Sequence, residues 1–503
     1  MICTSPVKTR HARLSQLRLA SLLVVICALC SCRASKEFVP TRKYAPEELR
    51  ADYRLFRAIL EDSHPGLYWY TPKDSMNYYF DRGAGMIQDS MTETRFRAVL
   101  NYVLAQVHCG HTYTRPSKAF VAAAGDGFSY PIAMKLWPDT AVVTDNRDRR
   151  DSQLTVGSIV TAIDGWPLRR ITDTLFNFLS GDGYNRTHLF QTLSNRGGFG
   201  NTYIPVLGYK PKYRVSWIDT AGAEHTAAIN LFLPSRDSLR RSARKPAPSK
   251  RRIRRQTREA VRGVRYDAGG ETAFMHLATF AKGYGLRGFF RRSFRSLEER
   301  GIKNLVIDLR GNGGGSVTNS NLLTKYIADK PFKIADSLFA TRRNSKYRRY
   351  QAKGFWNNLF IRFMTHRKAD GNYHFRYFEG RHFAPKKAHH FDGQVYVLIG
   401  GNTFSASTLF AGAVGPQNNV TLVGEETGGG AYGNNAWLIP AVTLPNTRVR
   451  FQLPLFRLVI DKDAEKGRGV QPEVFSGPTV QSIRDGSDYK MDTVLELIRE
   501  KGY

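Results

Sequence analysis

The chain has 503 residues, room for two to four domains, and its 42% apolar and 23% charged residues with 44 Gly and 22 Pro are those of a globular protein. Collagen-like, low-complexity and wholly disordered readings are thereby excluded. Charge is the outlier: 75 Lys and Arg against 43 Asp and Glu give +32, a field that draws anionic partners such as lipid headgroups, acidic glycans or nucleic acid without choosing among them.

Lys8, Arg10, Arg13 and Arg18 precede an apolar run, Leu19 to Cys30, whose 12 residues are too few to span a bilayer and suit the core of an export signal. The run ends in Leu29-Cys30-Ser31-Cys32, which resembles the bacterial lipobox, although Cys30 is an unusual occupant of its position. The resemblance implies removal of residues 1–31 and lipidation of Cys32; a plain secretory signal cut nearby is the alternative. Four basic residues and no acid would leave, so the mature chain would carry +28. The expected location is the cell envelope, lipid-anchored and facing the periplasm or exterior. Of five cysteines, three go with the signal and Cys32 would be acylated, which leaves Cys109 without a disulfide partner.

After a tether over 32–43, the spacing of Leu49, Tyr53, Phe56, Ile59 and Leu60 predicts a helix. A second helix is expected from Glu93 to Gln106. These make a helical N-terminal domain, 44–120, closing with His108-Cys109-Gly110-His111-Thr112. Over 121–233 the pattern turns to strands. Val156 to Asp164-Gly165 followed by a helical stretch resembles the centre of a PDZ domain, a module that binds chain ends by strand addition; any small β-rich module is the alternative. Residues 236–265 hold 13 Lys and Arg against Asp237 and Glu259. With Pro246 and Pro248 inside it, this is expected as a basic linker, 234–268, whose back half is helical; without interleaved aromatics it lacks a stacking platform for nucleic acid. The remainder, 269–503, carries a basic and aromatic insertion at 342–390, whose aromatics Tyr347, Tyr350, Phe355, Phe363, Tyr373 and Phe375 are expected to pack on the core.

Two segments carry chemistry. Leu305-Val306-Ile307-Asp308 is a buried-strand run feeding Leu309-Arg310-Gly311-Asn312-Gly313-Gly314-Gly315, a turn whose backbone amides can converge on an anion. The Walker pattern and the dinucleotide fingerprint are both absent, which leaves the oxyanion of acyl transfer to be considered. In the second, Val395 to Ile399 is a strand, Gly400 to Phe404 a turn, and Ser405 opens a helix, where the Ala406 amide would face negative charge developing on an attacked carbonyl.

With Val423-Gly424-Glu425-Glu426-Thr427-Gly428-Gly429-Gly430, these segments resemble the tail-specific (C-terminal processing) serine peptidase family in its tricorn-like branch. The resemblance implies an α/β fold: a ClpP/crotonase-like catalytic core, a PDZ-like module and a helical N-terminal domain. It implies Ser405 as nucleophile and an oxyanion hole from Ala406 with Gly313 or Gly314. The processing-peptidase branch uses a Lys 25 residues after the Ser, and Gly430 stands there. The tricorn-like branch uses a His from the N-terminal region, and Gly110-His111-Thr112 matches it, making His111 the candidate base. The acid expected near Gly469-Val470-Gln471-Pro472 is displaced: Lys466 occupies its place and Glu465 stands one position off, with Asp463, Glu425 and Glu426 as further candidates. No cofactor and no metal are called for. The partners implied are protein or peptide substrates and a membrane holding the lipid anchor, and export disfavours nucleic acid. A non-catalytic relative that binds peptide ends or anionic polymers is the competing reading.

Overall fold

The computed structural model describes residues 39–123, 129–147, 153–232 and 249–501. The export segment, Cys32 and most of the front half of the basic linker lie outside the described residues.

The first 80 described residues build three helices: α1 (Pro46–Ser63), α2 (Lys73–Gly85) and α3 (Glu93–Ala105). Pro46 starts α1 where its missing N–H is no loss, and Leu49, Tyr53, Phe56, Ile59 and Leu60 form one buried stripe. The Thr92 hydroxyl caps α3 by accepting from the Arg95 amide. These helices have no core of their own. They share one with Leu338, Ile361, Phe375, Val442 and Phe451 from the far end of the chain, where Phe56 and Phe451 meet edge to face at 5.2 Å.

A five-stranded antiparallel sheet follows, in chain order β1 (Ile132–Trp137), β2 (Thr140–Asn146), β3 (Ile159–Ile163), β4 (Lys212–Ile218) and β5 (Glu224–Asn230), with Trp166–Pro167 paired to β3. Asp164 and Gly165, at φ 52° and 79°, make the turn read in the sequence. Helices α4 (Leu168–Phe176), α5 (Arg186–Ser194) and α6 (Gly198–Leu207) close its core around Tyr130, Tyr213 and Trp217. The back half of the basic stretch is helical, α7 (Lys250–Val261), and buries no side chain.

The central sheet has six strands in the order β6 (Arg262–Tyr266), β7 (Thr272–Leu277), β8 (Asn304–Asp308), β9 (Gln394–Ile399), β10 (Val420–Gly424) and β11 (Val474–Phe475). Only β6 runs antiparallel to its neighbour. Alternate side chains go to opposite faces. Leu305, Ile307, Val395 and Val397 pack under α8 (Leu286–Glu299), α9 (Val317–Ile327) and α11 (Ala406–Val414), while Val306, Tyr396 and Leu398 meet Val494 and Ile498 of α12 (Tyr489–Glu500). Each such fully buried aliphatic side chain contributes roughly 1.5–3 kcal/mol, which is why strands buried on both faces read as unbroken apolar runs.

The insertion corrects one expectation. Phe375 is buried, but Phe355 and Phe363, on α10 (Gly354–Met364), are 59% and 74% exposed. That helix turns Asn357, Asn358 and Ile361 inward instead, with the Asn357 side chain donating to the Ala352 carbonyl.

Candidate active site

Strands β8 and β9 are parallel neighbours, so the turns leaving their carboxyl ends emerge side by side. Three bonds lock the turns together: the Leu309 amide to the Leu398 carbonyl (3.0 Å), the Thr403 hydroxyl to the Leu309 carbonyl (2.9 Å) and the Phe404 amide to the Asn312 carbonyl (3.1 Å). Ser405 caps α11 in a conformation seldom adopted by a residue with a side chain, φ 56° and ψ −120°. Such strain costs on the order of 1–3 kcal/mol and persists only where the surroundings dictate it.

The amide of Ala406 is the first of α11 and has no acceptor among the described residues, as the helix start dictates. The Gly313 amide likewise donates to none, whereas Gly314 gives its N–H to the Asn312 side chain at 3.0 Å. Of the two glycines expected as oxyanion donors, Gly313 is therefore the free one. Gly314 has a steric duty instead: at φ 92°, a Cβ there would lie 2.6 Å from the Phe404 carbonyl and 2.9 Å from the Ala406 nitrogen.

His111 is delivered by the segment after α3. His64 accepts from the Gly66 amide at Nδ1, so its Nε2–H donates to the Thr112 hydroxyl (2.9 Å), which donates to the Cys109 sulfur (3.2 Å). Gly110 permits close approach to the loop before Ser405, since a Cβ there would sit 2.5 Å from the Phe404 ring. That ring packs against both His111 (centroids 4.8 Å) and His188 of α5 (4.9 Å). His111 is buried with both ring nitrogens unpartnered, and burial, aided by His188, pushes it down to about 4. The imidazole is thus neutral at pH 7, the form a base requires. Ser405, His111, His188 and Gly313 line one cavity of about 630 Å³, with Tyr113, Arg115, Ile439 and Gln452.

The carboxylate beside His111 is one that sequence reasoning missed. Asp182, on the turn between α4 and α5, is buried; its two oxygens accept from the amides of Gly110 (2.8 Å) and Gly430 (3.3 Å). Burial raises it to about 7 against the pull of those bonds. Ligating atoms of Cys109, His111 and Asp182 lie within 4.8 Å of one another, the one such trio with metal-ligand types among the described residues. Burial holds the Cys109 thiol at about 12, protonated, which suits a packing role better than a metal ligand or a nucleophile. The turn is fastened there by the Ser180 hydroxyl to the Thr112 carbonyl (2.6 Å) and the Asn185 side chain to the Thr427 carbonyl (2.6 Å). No local motif marks Asp182, because only tertiary packing brings it 71 positions along the chain back to His111.

The other acids are engaged elsewhere. Glu465 is exposed and lines a different cavity with Asp461 and Arg468, which corrects its expected role beside His111. Asp463 pairs with Lys462, Glu426 with Arg468, and Glu425 with Lys490 (2.8 Å). Lys466 donates to the Trp69 carbonyl.

Residues 271–474 match the model of peptidase family S41. Over those residues the chain is similar to peptidase family S41. No curated protein matches the chain. Among solved structures, mature CPAF complexed with lactacystin superposes with a TM-score of 0.63 at 14% identity, covering 90% of this chain and 98% of that one. A second structure of mature CPAF gives 0.61 at 14%, covering 91% and 99%. At these identities the likeness is one of fold, and it extends through the helical and PDZ-like parts as well as the stretch matched to family S41.

Proposed function

We infer that the chain is an extracytoplasmic serine endopeptidase or processing peptidase that acts through Ser405 and His111. Ser405 attacks the scissile carbonyl and passes its proton to His111; the developing oxyanion meets the amides of Ala406 and Gly313; the amine leaves with the proton that His111 returns. Water, deprotonated by the same imidazole, then resolves the acyl-enzyme. Asp182 is the group placed to orient His111 and to offset the imidazolium that forms with each transfer. The location rests on the export-like N-terminus and the lipobox at Cys32.

The observation that carries this reading is the unspent pair of amides, Ala406 and Gly313, beside a strained serine in the cavity that holds an unpartnered His111. The test is hydrolysis of a mixed peptide library by the chain lacking residues 1–32, beside Ser405→Ala and His111→Ala. Cleavage by the parent and a loss of at least about 10⁴-fold in either variant are expected. Cleavage that survives Ser405→Ala would refute the assignment, and an inert parent that still binds peptides would favour the non-catalytic reading.

A further inference from the structure

Helix α10 is amphipathic the wrong way round for a water-facing surface. Its inward side carries Gly354, Asn357, Asn358 and Ile361, whereas Phe355, Trp356, Phe363 and Met364 are 59%, 65%, 74% and 49% exposed. At about 100° per residue, Phe355, Leu359, Phe363 and Trp356 share one arc of roughly 100°, with the two asparagines on the other side, while Phe360 at its edge packs on the core beside Phe375. Were water the only neighbour, turning this arc inward would gain several kcal/mol of apolar burial, so the outward arrangement marks a face with an apolar partner.

The surroundings give that partner a charge. Residues 342–368 contain nine Lys or Arg and no Asp or Glu. Lys346, Arg348, Arg349, Lys353 and Arg362 are exposed, and among the described residues the stretch forms one ion pair, Lys368 with Glu379. An apolar arc holding Trp and Phe, bordered by unpaired cations, matches the boundary of an anionic bilayer: rings and aliphatic carbons enter to about 5–10 Å while the cations meet headgroup phosphates.

We propose that α10 and its basic flanks are a membrane-docking surface that lays this protein on anionic lipid. Two other occupants fit less well. A symmetric copy of the chain would set the same nine cations against themselves. A nucleic acid would satisfy the cations and stack on Trp356, but Leu359 and Met364 would gain nothing from bases. The docking surface does not rest on the peptidase reading, since no α10 side chain lines the Ser405 cavity. It is also separate from the anchor expected at Cys32.

The test uses the chain lacking residues 1–32, so that no lipid or signal contributes. Co-sedimentation is measured with phosphatidylcholine vesicles and with vesicles part-substituted by phosphatidylglycerol. Binding to the phosphatidylglycerol vesicles is expected, weakening with salt and accompanied by a blue shift of tryptophan emission. Trp356→Phe should remove most of that shift while binding persists, and Trp356→Ser with Phe363→Ser should weaken binding by about tenfold or more. Peptide hydrolysis and thermal stability of the double variant should match the parent. The proposal is overturned if anionic vesicles are not bound at low salt, if the double variant binds them equally well, or if Trp356 is shielded by self-association or by DNA in preference to vesicles.

Discussion

At the scale of single residues, the site is a set of groups kept from their ordinary partners. Ser405 is held with positive φ, the amides of Ala406 and Gly313 donate to nothing among the described residues, and His111 has two free nitrogens. Each feature is unfavourable for folding and useful for attack on a carbonyl, which is the usual relation between local strain and function. Gly314→Ala should lower kcat by about 10²–10³-fold, because a Cβ would push the Phe404 carbonyl and displace the Ala406 amide; steady-state kinetics on the folded variant checks this. Asp182 yields a pH test. Raised to about 7, it is ionised only above that value, so kcat/KM should climb through about pH 7, and Asp182→Asn should lose this limb along with about 10²–10⁴-fold in rate. An unchanged profile in that variant would remove Asp182 from the mechanism. Ser405 and His111, which line one cavity, and Ala406 beside them could be singled out in the sequence because each sits in a short motif. Choosing between Gly313 and Gly314 needed the Asn312 bond, and Asp182 needed the fold.

At the scale of elements, two parallel strands and one buried hydrogen-bond chain place the chemistry. The strands were readable as apolar runs, since β8 and β9 are covered on both faces. The chain from His64 through Thr112 to Cys109 was not, because each member alone resembles an ordinary polar residue of a helix end. His64 is pushed down to about 3 and His111 to about 4, both from an ordinary 6.5. The unfolded chain therefore takes up protons below about pH 6.5 that the folded one refuses, and stability is lost as pH falls toward 4 and then 3. Asp182, raised from 3.8 to about 7, works in the opposite sense: it favours the folded state at low pH, and that contribution disappears as pH rises through 7. Tm should accordingly fall between pH 7 and 4, and fall more steeply in Asp182→Asn, as calorimetry across that range would register. The aromatics of 342–390 show where pattern reading stops. Helical spacing identifies an apolar arc without saying which way it faces, and for α10 it faces out.

At the scale of the whole molecule, no single unit owns the site. The N-terminal helices supply His111 and share their core with the insertion and with the strands around Val442 and Phe451; the PDZ-like module supplies Asp182 and His188; the central sheet supplies Ser405 and the amides. The module is thus a structural part of the cavity around Ser405. Asn185 joins the two by donating to the Thr427 carbonyl while its oxygen caps α5 through the His188 amide. Asn185→Asp keeps the cap and loses the donor, so kcat should fall by about tenfold with the helix intact, as circular dichroism would verify. An order of three parts was visible in the composition and periodicity of the sequence. Their convergence on one cavity was not, since it depends on contacts between residues hundreds of positions apart.

The proposed mechanism makes Ser405 an activated acyl-transfer nucleophile. Its most direct measurement is reaction of the chain lacking residues 1–32 with a fluorophosphonate probe, followed by peptide mass mapping. A single adduct on Ser405 is expected, absent in Ser405→Ala and formed far more slowly in His111→Ala. An adduct elsewhere, or none under conditions where the chain cleaves peptides, would contradict it.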